Sequence, residues 1–402
     1  MRLLVAPHDL QIGGSQINAI DLAAAVRDLG HDVFVYGIPG PLAGHIADRG
    51  LPFIAAPAMQ YRPAPQRIVH LQATSRRERI DVIHGYEWPP CLDAYFGAHL
   101  IGRVGLTCTV LSMAVSPLVP RSVPLLMGTE DLADSARHAG HRSVSVLEPP
   151  IDVDADHPGI DGSAVRASLG LGAHEQLVVT VSRLAVDLKL DALERAIAAV
   201  GAIAGRRPVR LLIVGGGEAE RHLRSRAADV DAACGRQVVH FAGEQLDPRA
   251  YYAAADVVVG MGSSALRAMA IGRPVVVQGE HGFSLACEPS TFDTFLRQGF
   301  WGIGDDGPID PLVADLDRLL HDSALRAELG EFGRRSVVDR FALRHAALRL
   351  EAHYADLAEQ PAARRPLDVA TTAGRAAAAE LRLHDPRRQR LLARQRKLRL
   401  TT

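Results

Sequence analysis

The feature that most limits the fold of this chain is an alternation repeated along its length. Short apolar runs are each followed by a longer stretch with helical spacing. "RLLVAP" (2–7) precedes "SQINAIDLAAAVRDLG" (15–30), where Ile17, Ile20, Leu22, Ala23 and Val26 recur at helical intervals. Ser15 is placed to cap that helix and Gly30 to end it. "HDVFVYG" (31–37), "PFIAAP" (52–57), "RIDVIHGY" (79–86), "GLTCTV" (105–110), "VPLLMG" (123–128) and "VSVLEPP" (144–150) continue the series as strands. Strands that alternate with helices pair in parallel through helical crossovers. "EPPIDVDADHPGIDG" (148–162), polar and rich in Pro, Asp and Gly, reads as a linker. The pattern then restarts with "QLVVTVSRL" (176–184), "RLLIVGGG" (210–217), "QVVHFAG" (237–243), "ADVVVGMG" (255–262) and "RPVVVQG" (273–279). Several of these are apolar throughout, as a sheet covered on both faces requires.

At 402 residues the chain exceeds one ordinary core, and its 48% apolar content is enough for two. The expected fold is α/β, with two doubly wound, Rossmann-like halves. The expected boundaries are 1–152 and 153–340, with 341–402 forming helices and a basic tail that crosses back to the first domain. Two such sheets facing each other leave a cleft at the carboxyl ends of their strands, where open α/β sheets bind ligands.

The formal net charge of −1 argues against a dedicated nucleic-acid binder. Residues 361–402 hold eleven Lys/Arg against three acids, so the tail carries +8 and the first 360 residues −9. The run "RRQRLLARQRKLRL" (387–400) suits a solvated helix or arm, and equally a peripheral contact with an anionic membrane surface. Cys91, Cys108, Cys234 and Cys287 are scattered, without CxxC pairs or His/Cys clusters, which fits a reducing compartment and gives no metal signal. No apolar run reaches the ~18 residues of a membrane span. "MRLLVAP" has no basic region ahead of an apolar stretch, so the reading is cytoplasmic with no signal peptide.

Four motifs carry candidate chemistry. In "DLQIGGSQINAID" (9–21), Gly13 and Gly14 open the first helix; they form either a tight turn or a loop that lets a phosphate or sugar approach the backbone. In "VSRLAVDLK", Arg183 follows a strand end and Lys189 opens the next helix, the combination of fork and point charge that a diphosphate needs. In "GMGSSALRAMAIGRPVVV" (260–277), Gly260 and Gly262 bare the backbone while Ser263 and Ser264 begin a helix, an anion seat or simply a Ser-capped helix. In "HGYEWPP" (84–90), His84 and Glu87 can meet hydroxyls and Trp88 can stack on a sugar; a core histidine is the plainer reading of His84. "LIVGGGEAERHL" lacks the third glycine of a dinucleotide fingerprint, Glu220 standing in its place, and reads as a strand-end turn.

These pieces in this order resemble the retaining glycosyltransferases of family 4, which have the two-domain GT-B architecture. The resemblance spans about residues 1–358. It rests on the Gly13–Gly14 loop, "DVIHGY", "PPID" (149–152), "SRL…K", "LLIVGGGE", "HFAGE", "YYAAADVVVGMG" and "LRAMAIGRPVVV". It implies hexosyl transfer from a nucleotide-diphosphate sugar, UDP-sugar first on family frequency, to a hydroxyl acceptor, with no cofactor or metal. Arg183 and Lys189 then hold the donor diphosphate. Gly13 and Gly14 lie against the diphosphate and sugar. Gly215 and Phe241–Glu244, Gly243 included, line the nucleotide end, and Gly260, Gly262, Ser263, Ser264 and Arg267 the donor sugar and phosphates. His84, Glu87 and Trp88 fall on the acceptor side. Two departures mark a divergent branch. Val259 and Arg267 occupy the positions of the family's paired glutamates, and "TVLSMAVSP" has no histidine where the family often has one. The alternatives are a catalytically silent nucleotide-sugar binder and a GT-B sugar-nucleotide epimerase.

Overall fold

A computed structural model describes residues 1–58, 63–112, 114–172, 174–359 and 366–383. The chain divides into two compact units at Pro150/Ile151 and again at Ala342/Leu343. In the first, β1 (Arg2–Ala6), β2 (Asp32–Gly37), β3 (Phe53–Ala55), β4 (Val82–Tyr86), β5 (Gly105–Val110), β6 (Leu125–Met127) and β7 (Val144–Val146) form one sheet in the order β3-β2-β1-β4-β5-β6-β7. Every pairing in it is parallel.

The second unit holds β8 (Gln176–Val181), β9 (Val209–Val214), β10 (Val239–Gly243), β11 (Val257–Gly260), β12 (Val275–Gln278) and β13 (Ser284–Ala286), ordered β10-β9-β8-β11-β12-β13. The expectation of two doubly wound α/β sheets holds. The one antiparallel strand, β13 against β12, was not anticipated. "SLA" is too short and too weakly apolar to announce itself.

Both sheets are sandwiched between helical layers, which is why their central strands are apolar at most positions. Val178, Leu211, Ile213, Val257 and Val259 face one layer of the second unit, while Leu177, Val179, Leu212, Val258 and Val277 face the other. In the first unit the helices Leu343–Glu359 and Pro366–Leu383 pack on the N-terminal sheet. Ala346, Ala347, Leu350 and Tyr354 of the former join the core of β1 and β2. Asp368 of the latter accepts from Tyr95 Oη (3.1 Å) and from the Ser122 amide (3.2 Å).

The stretch 148–162 is not a loose linker. Asn18 donates to Pro150 O (3.1 Å), and the Ile151 amide donates to Phe341 O (2.8 Å). Arg334 ties down the carbonyls of Val153, Asp156 and Ala270. Its Pro, Asp and Gly content reports irregular backbone that is nonetheless buried and hydrogen-bonded.

Candidate functional site

The loops at the carboxyl ends of β8, β9 and β10 are stitched together by main chain. Ser182 N donates to Val214 O, Leu184 N to Gly216 O, Gly215 N to Gly243 O and Ala219 N to Leu184 O, all within 3.0 Å. The triple glycine makes this approach work. A Cβ on Gly215 (φ +144°) would lie 1.8 Å from Ser182 O, and one on Gly217 (φ +152°) 2.4 Å from Leu184 O. Gly215 is therefore a packing residue that fixes the 182–184 loop.

That anchoring leaves Arg183 exposed between two held residues. Lys189 stands at the N-cap of the helix Leu190–Ala204, behind Leu188 in a left-handed conformation (φ +71°). Its ammonium is half-buried. Burial, with the nearby Arg183 charge, pushes its pKa down to about 8, and Glu280 pulls the other way. Among the described residues neither cationic side chain has a hydrogen-bond or ion-pair partner within the protein. Two cations set side by side without an acceptor form a site for an anion.

β11 ends at Gly260, and the helix Ser263–Ala270 starts after Gly262, whose φ of +59° suits glycine. Gly262 N donates to Phe300 O (2.6 Å), and Ser263 contributes the first helical amide. The Ser264 side chain is not open to ligand: Oγ donates to Val181 O (2.8 Å) and accepts from Tyr252 Oη (2.9 Å). That bond fixes the helix to β8. Val259 is wholly buried in β11. Arg267 Nε lies 3.6 Å from Oδ2 of Asp156, a carboxylate only 2% exposed. Phe241 packs under the Arg224 guanidinium (4.4 Å), so only the main chain of 241–244 is offered there. Gly243 turns at φ +72°, ahead of Glu244.

In the first unit, Gly13 is the N-cap of the helix Gly14–Asp28, which corrects the assignment of that cap to Ser15. Its φ of −170° is extended backbone open to any residue, and a Cβ there would meet only the flexible end of Gln16. Glycine at 13 is thus not required by the turn. Gly14 is exposed at the first helical position. Ser15 Oγ and His8 Nδ1 are buried without a partner beside it. Gln16 Nε2 donates to Asp9 Oδ1 (2.7 Å).

His84 does not reach an acceptor. It is 1% exposed, with Nδ1 at 2.6 Å from Tyr354 Oη and Nε2 at 2.7 Å from Thr109 Oγ1; burial holds its pKa well below the usual histidine range. A strand end covered by a returning helix leaves no opening for a ligand. Trp88 packs against Leu92, Phe96, Leu118 and Ala376 rather than standing free to stack. Glu87, at φ +68° and ψ +171°, holds a conformation normally reserved for glycine. Its Oε1 accepts from the Leu111 and Ser112 amides and its Oε2 from Ser112 Oγ, each at 2.9 Å. It organises the loop after β5. Asp156 and Glu280, by contrast, carried no sequence signal: each is a single acid in a polar loop.

Residues 175–297 match the family described as "Glycosyl transferases group 1". The fold is that of Anabaena HepE in complex with UDP-glucose, with a TM-score of 0.71 and 18% identity over 89% of this chain and 100% of that one. The family match covers less than half of the chain, and the chain spans less than half the length of the first curated relative it matches. It is 34% identical over 179 residues to a D-inositol 3-phosphate glycosyltransferase of Mycobacteroides abscessus, a match covering 40% of this chain and 38% of the relative. It is 28% identical over 289 residues to the lipopolysaccharide core biosynthesis glycosyltransferase LpsE of Rhizobium meliloti, covering 69% of this chain and 75% of that one. The family match runs over β8–β13, the part of the chain that carries Arg183, Lys189 and the Gly260–Arg267 turn. No helix among the described residues is long and apolar enough to cross a membrane.

Proposed function

We propose that this chain is a retaining, metal-independent hexosyltransferase of a divergent branch, taking its sugar from a nucleotide-diphosphate sugar, UDP-sugar first, and delivering it to a hydroxyl acceptor. One observation carries the reading: the half-buried Lys189 ammonium beside Arg183, with neither side chain bonded to a protein acceptor. Holding two cations together in a partly desolvated place is unfavourable unless an anion completes them. A diphosphate fits, with Arg183 bidentate on one phosphate and Lys189 as a point charge on the other. UDP-glucose in the solved structure of similar fold supports the choice of donor.

In such a site the donor C1–O bond breaks as the diphosphate departs. The acceptor oxygen attacks from the same face, and a phosphate oxygen of the leaving group takes its proton. The step needs positive charge where negative charge grows, and Arg183 and Lys189 supply it. The amides at Ser263 and Ser264 and the backbone at Gly260 and Gly262 support the donor, with the Gly13–Gly14 loop assigned to its diphosphate and sugar. The acceptor belongs to the first unit. The cytoplasm is the proposed location, with peripheral membrane contact through the run 387–400, which lies outside the described residues.

A second reading, a nucleotide-sugar binder without turnover, is favoured by buried Val259 and by Arg267 paired to Asp156, where the resemblance leads one to expect glutamates. A thermal-shift screen of nucleotides and nucleotide sugars, followed by donor hydrolysis with EDTA present, tests both. A rise in melting temperature with slow hydrolysis supports transfer. A rise without hydrolysis, and without transfer to any hydroxyl acceptor, supports the binder. No rise with any of them overturns both.

A further inference from the structure

Lys189 has a neighbour that the diphosphate reading leaves without a role. Glu280 follows β12 on a loop whose backbone cannot shift. Its amide donates to Gly302 O (3.0 Å), and its carbonyl accepts from Phe283 N (3.1 Å) and Gly304 N (2.9 Å). The two facing segments touch through glycines: a Cβ on Gly279 would lie 1.9 Å from Gly302 O, and one on Gly304 2.3 Å from His281 O. The loop is also tied to the helix that Lys189 opens, since Gly282 N donates to Asp191 Oδ2 (2.8 Å).

The charged side chains on the elements around Lys189 are Arg183 and Asp187 ahead of it, Asp191, Glu194 and Arg195 on its own helix, with Glu194 paired to His222 (2.7 Å), and Glu280 and His281 beyond β12. Asp191 is taken up by Arg195 (2.8 Å) and the Gly282 amide, and His281 by Asp306 (3.0 Å). Arg183 and Glu280 act on the ammonium, with opposite sign. Among the described residues the Glu280 carboxylate makes no hydrogen bond or ion pair, and its charge acts on Lys189 through space.

We propose that Glu280 is a positioning residue of the donor site, the counter-charge that keeps Lys189 protonated and aimed at the diphosphate. This rests on the reading of Arg183 and Lys189 as the diphosphate pair. The chemistry is simple. Only the ammonium neutralises a phosphate, and burial beside Arg183 favours the amine. A carboxylate acting through space restores the charged form without blocking it. A carboxylate in direct contact would compete with the phosphate. Glu280 also supplies an acidic group near the donor in a chain that has Val259 and Arg267 where carboxylates are expected.

The test is calorimetric titration of UDP into wild type and Glu280→Gln from pH 6.5 to 9, with folding checked by melting temperature. Wild-type affinity should hold to about pH 8 and then fall as Lys189 loses its proton. In Glu280→Gln the fall should begin at least half a pH unit lower, while affinity at pH 6.5 stays equal or rises because a repulsive carboxylate is gone. Glu280→Asp, which keeps the charge, should return most of the wild-type profile. Superimposed profiles for wild type and Glu280→Gln overturn the proposal, as does a shift in Glu280→Asp as large as in Glu280→Gln. Should Glu280→Gln fail to fold, Glu280→Ala is read by the same criteria. Failure of the underlying reading looks different: Lys189→Met would then bind UDP as tightly as wild type at every pH.

Discussion

Lys189 shows what a single side chain reveals in each kind of information. Its place after "SRL" was legible because a strand end followed by a basic helix start is a local pattern. Its burial, its pKa near 8 and its partner Glu280 were not, because they depend on a loop ninety residues away in sequence. The consequence has two signs. Between about pH 8 and its ordinary value of 10.5 the unfolded chain holds the proton more firmly, so the free protein gains stability as pH rises through that window. Donor binding, which needs the ammonium, weakens across the same window. Lys189→Met should therefore raise the melting temperature of the free protein near pH 7 and abolish its rise with UDP. Alanine at Arg183 or Lys189 should cost about 3–4 kcal/mol in transition-state stabilisation, read from kcat/KM, with the fold retained. Unchanged turnover in both would remove the assigned role.

Arg267 is the residue where sequence alone pointed in one direction and packing adds another. The resemblance assigns it to the donor sugar and phosphates. Its ion pair with buried Asp156 adds a structural duty. Arg267→Ala removes one cationic partner of buried Asp156 and should destabilise the second unit by about 1–3 kcal/mol in urea unfolding. Arg267→Glu sets two carboxylates together and should cost more, besides weakening donor binding. Equal stability in all three proteins would return the pair to a surface contact.

At the scale of elements, the strands were legible and the reason is physical. Parallel strands buried on both faces are apolar at most positions, and short apolar runs bounded by turn residues mark them. Helix starts were read less well. Ser15 resembled a cap, yet the cap is Gly13, two residues earlier. The glycines of "GGG" were read correctly as a turn, but the close approach of Ser182 O to Gly215 lies beyond what a sequence pattern conveys. Gly215→Ala should strain both loops and lower stability by about 2–4 kcal/mol, and activity further as Arg183 moves. Gly14→Val, at an exposed helix start, should leave the melting temperature almost unchanged while donor affinity or turnover falls sharply. Full activity in that variant would return "GGS" to a plain turn.

At the scale of the molecule, the C-terminal helices make the N-terminal sheet whole. The helix Leu343–Glu359 brings Tyr354 to His84 and His353 to Thr107 (2.9 Å), buried contacts between residues some 250 positions apart. Tyr354→Phe should cost about 1–3 kcal/mol in stability without altering UDP affinity, since it leaves one buried imidazole nitrogen of the first unit unpaired. A histidine before a glycine at a strand end offered no clue to this partner, which is why His84 could be mistaken for a ligand.

The most direct test of the account is the anomeric outcome in the absence of metal. The purified protein is incubated with UDP-sugars and a panel of hydroxyl acceptors in EDTA, and the first-formed product is followed by proton NMR. Proton NMR of the first-formed product should show the anomeric configuration of the donor kept, at a rate that Lys189→Met reduces by at least a hundredfold. An inverted product, a reaction that needs a divalent metal, or turnover indifferent to Lys189 would contradict it.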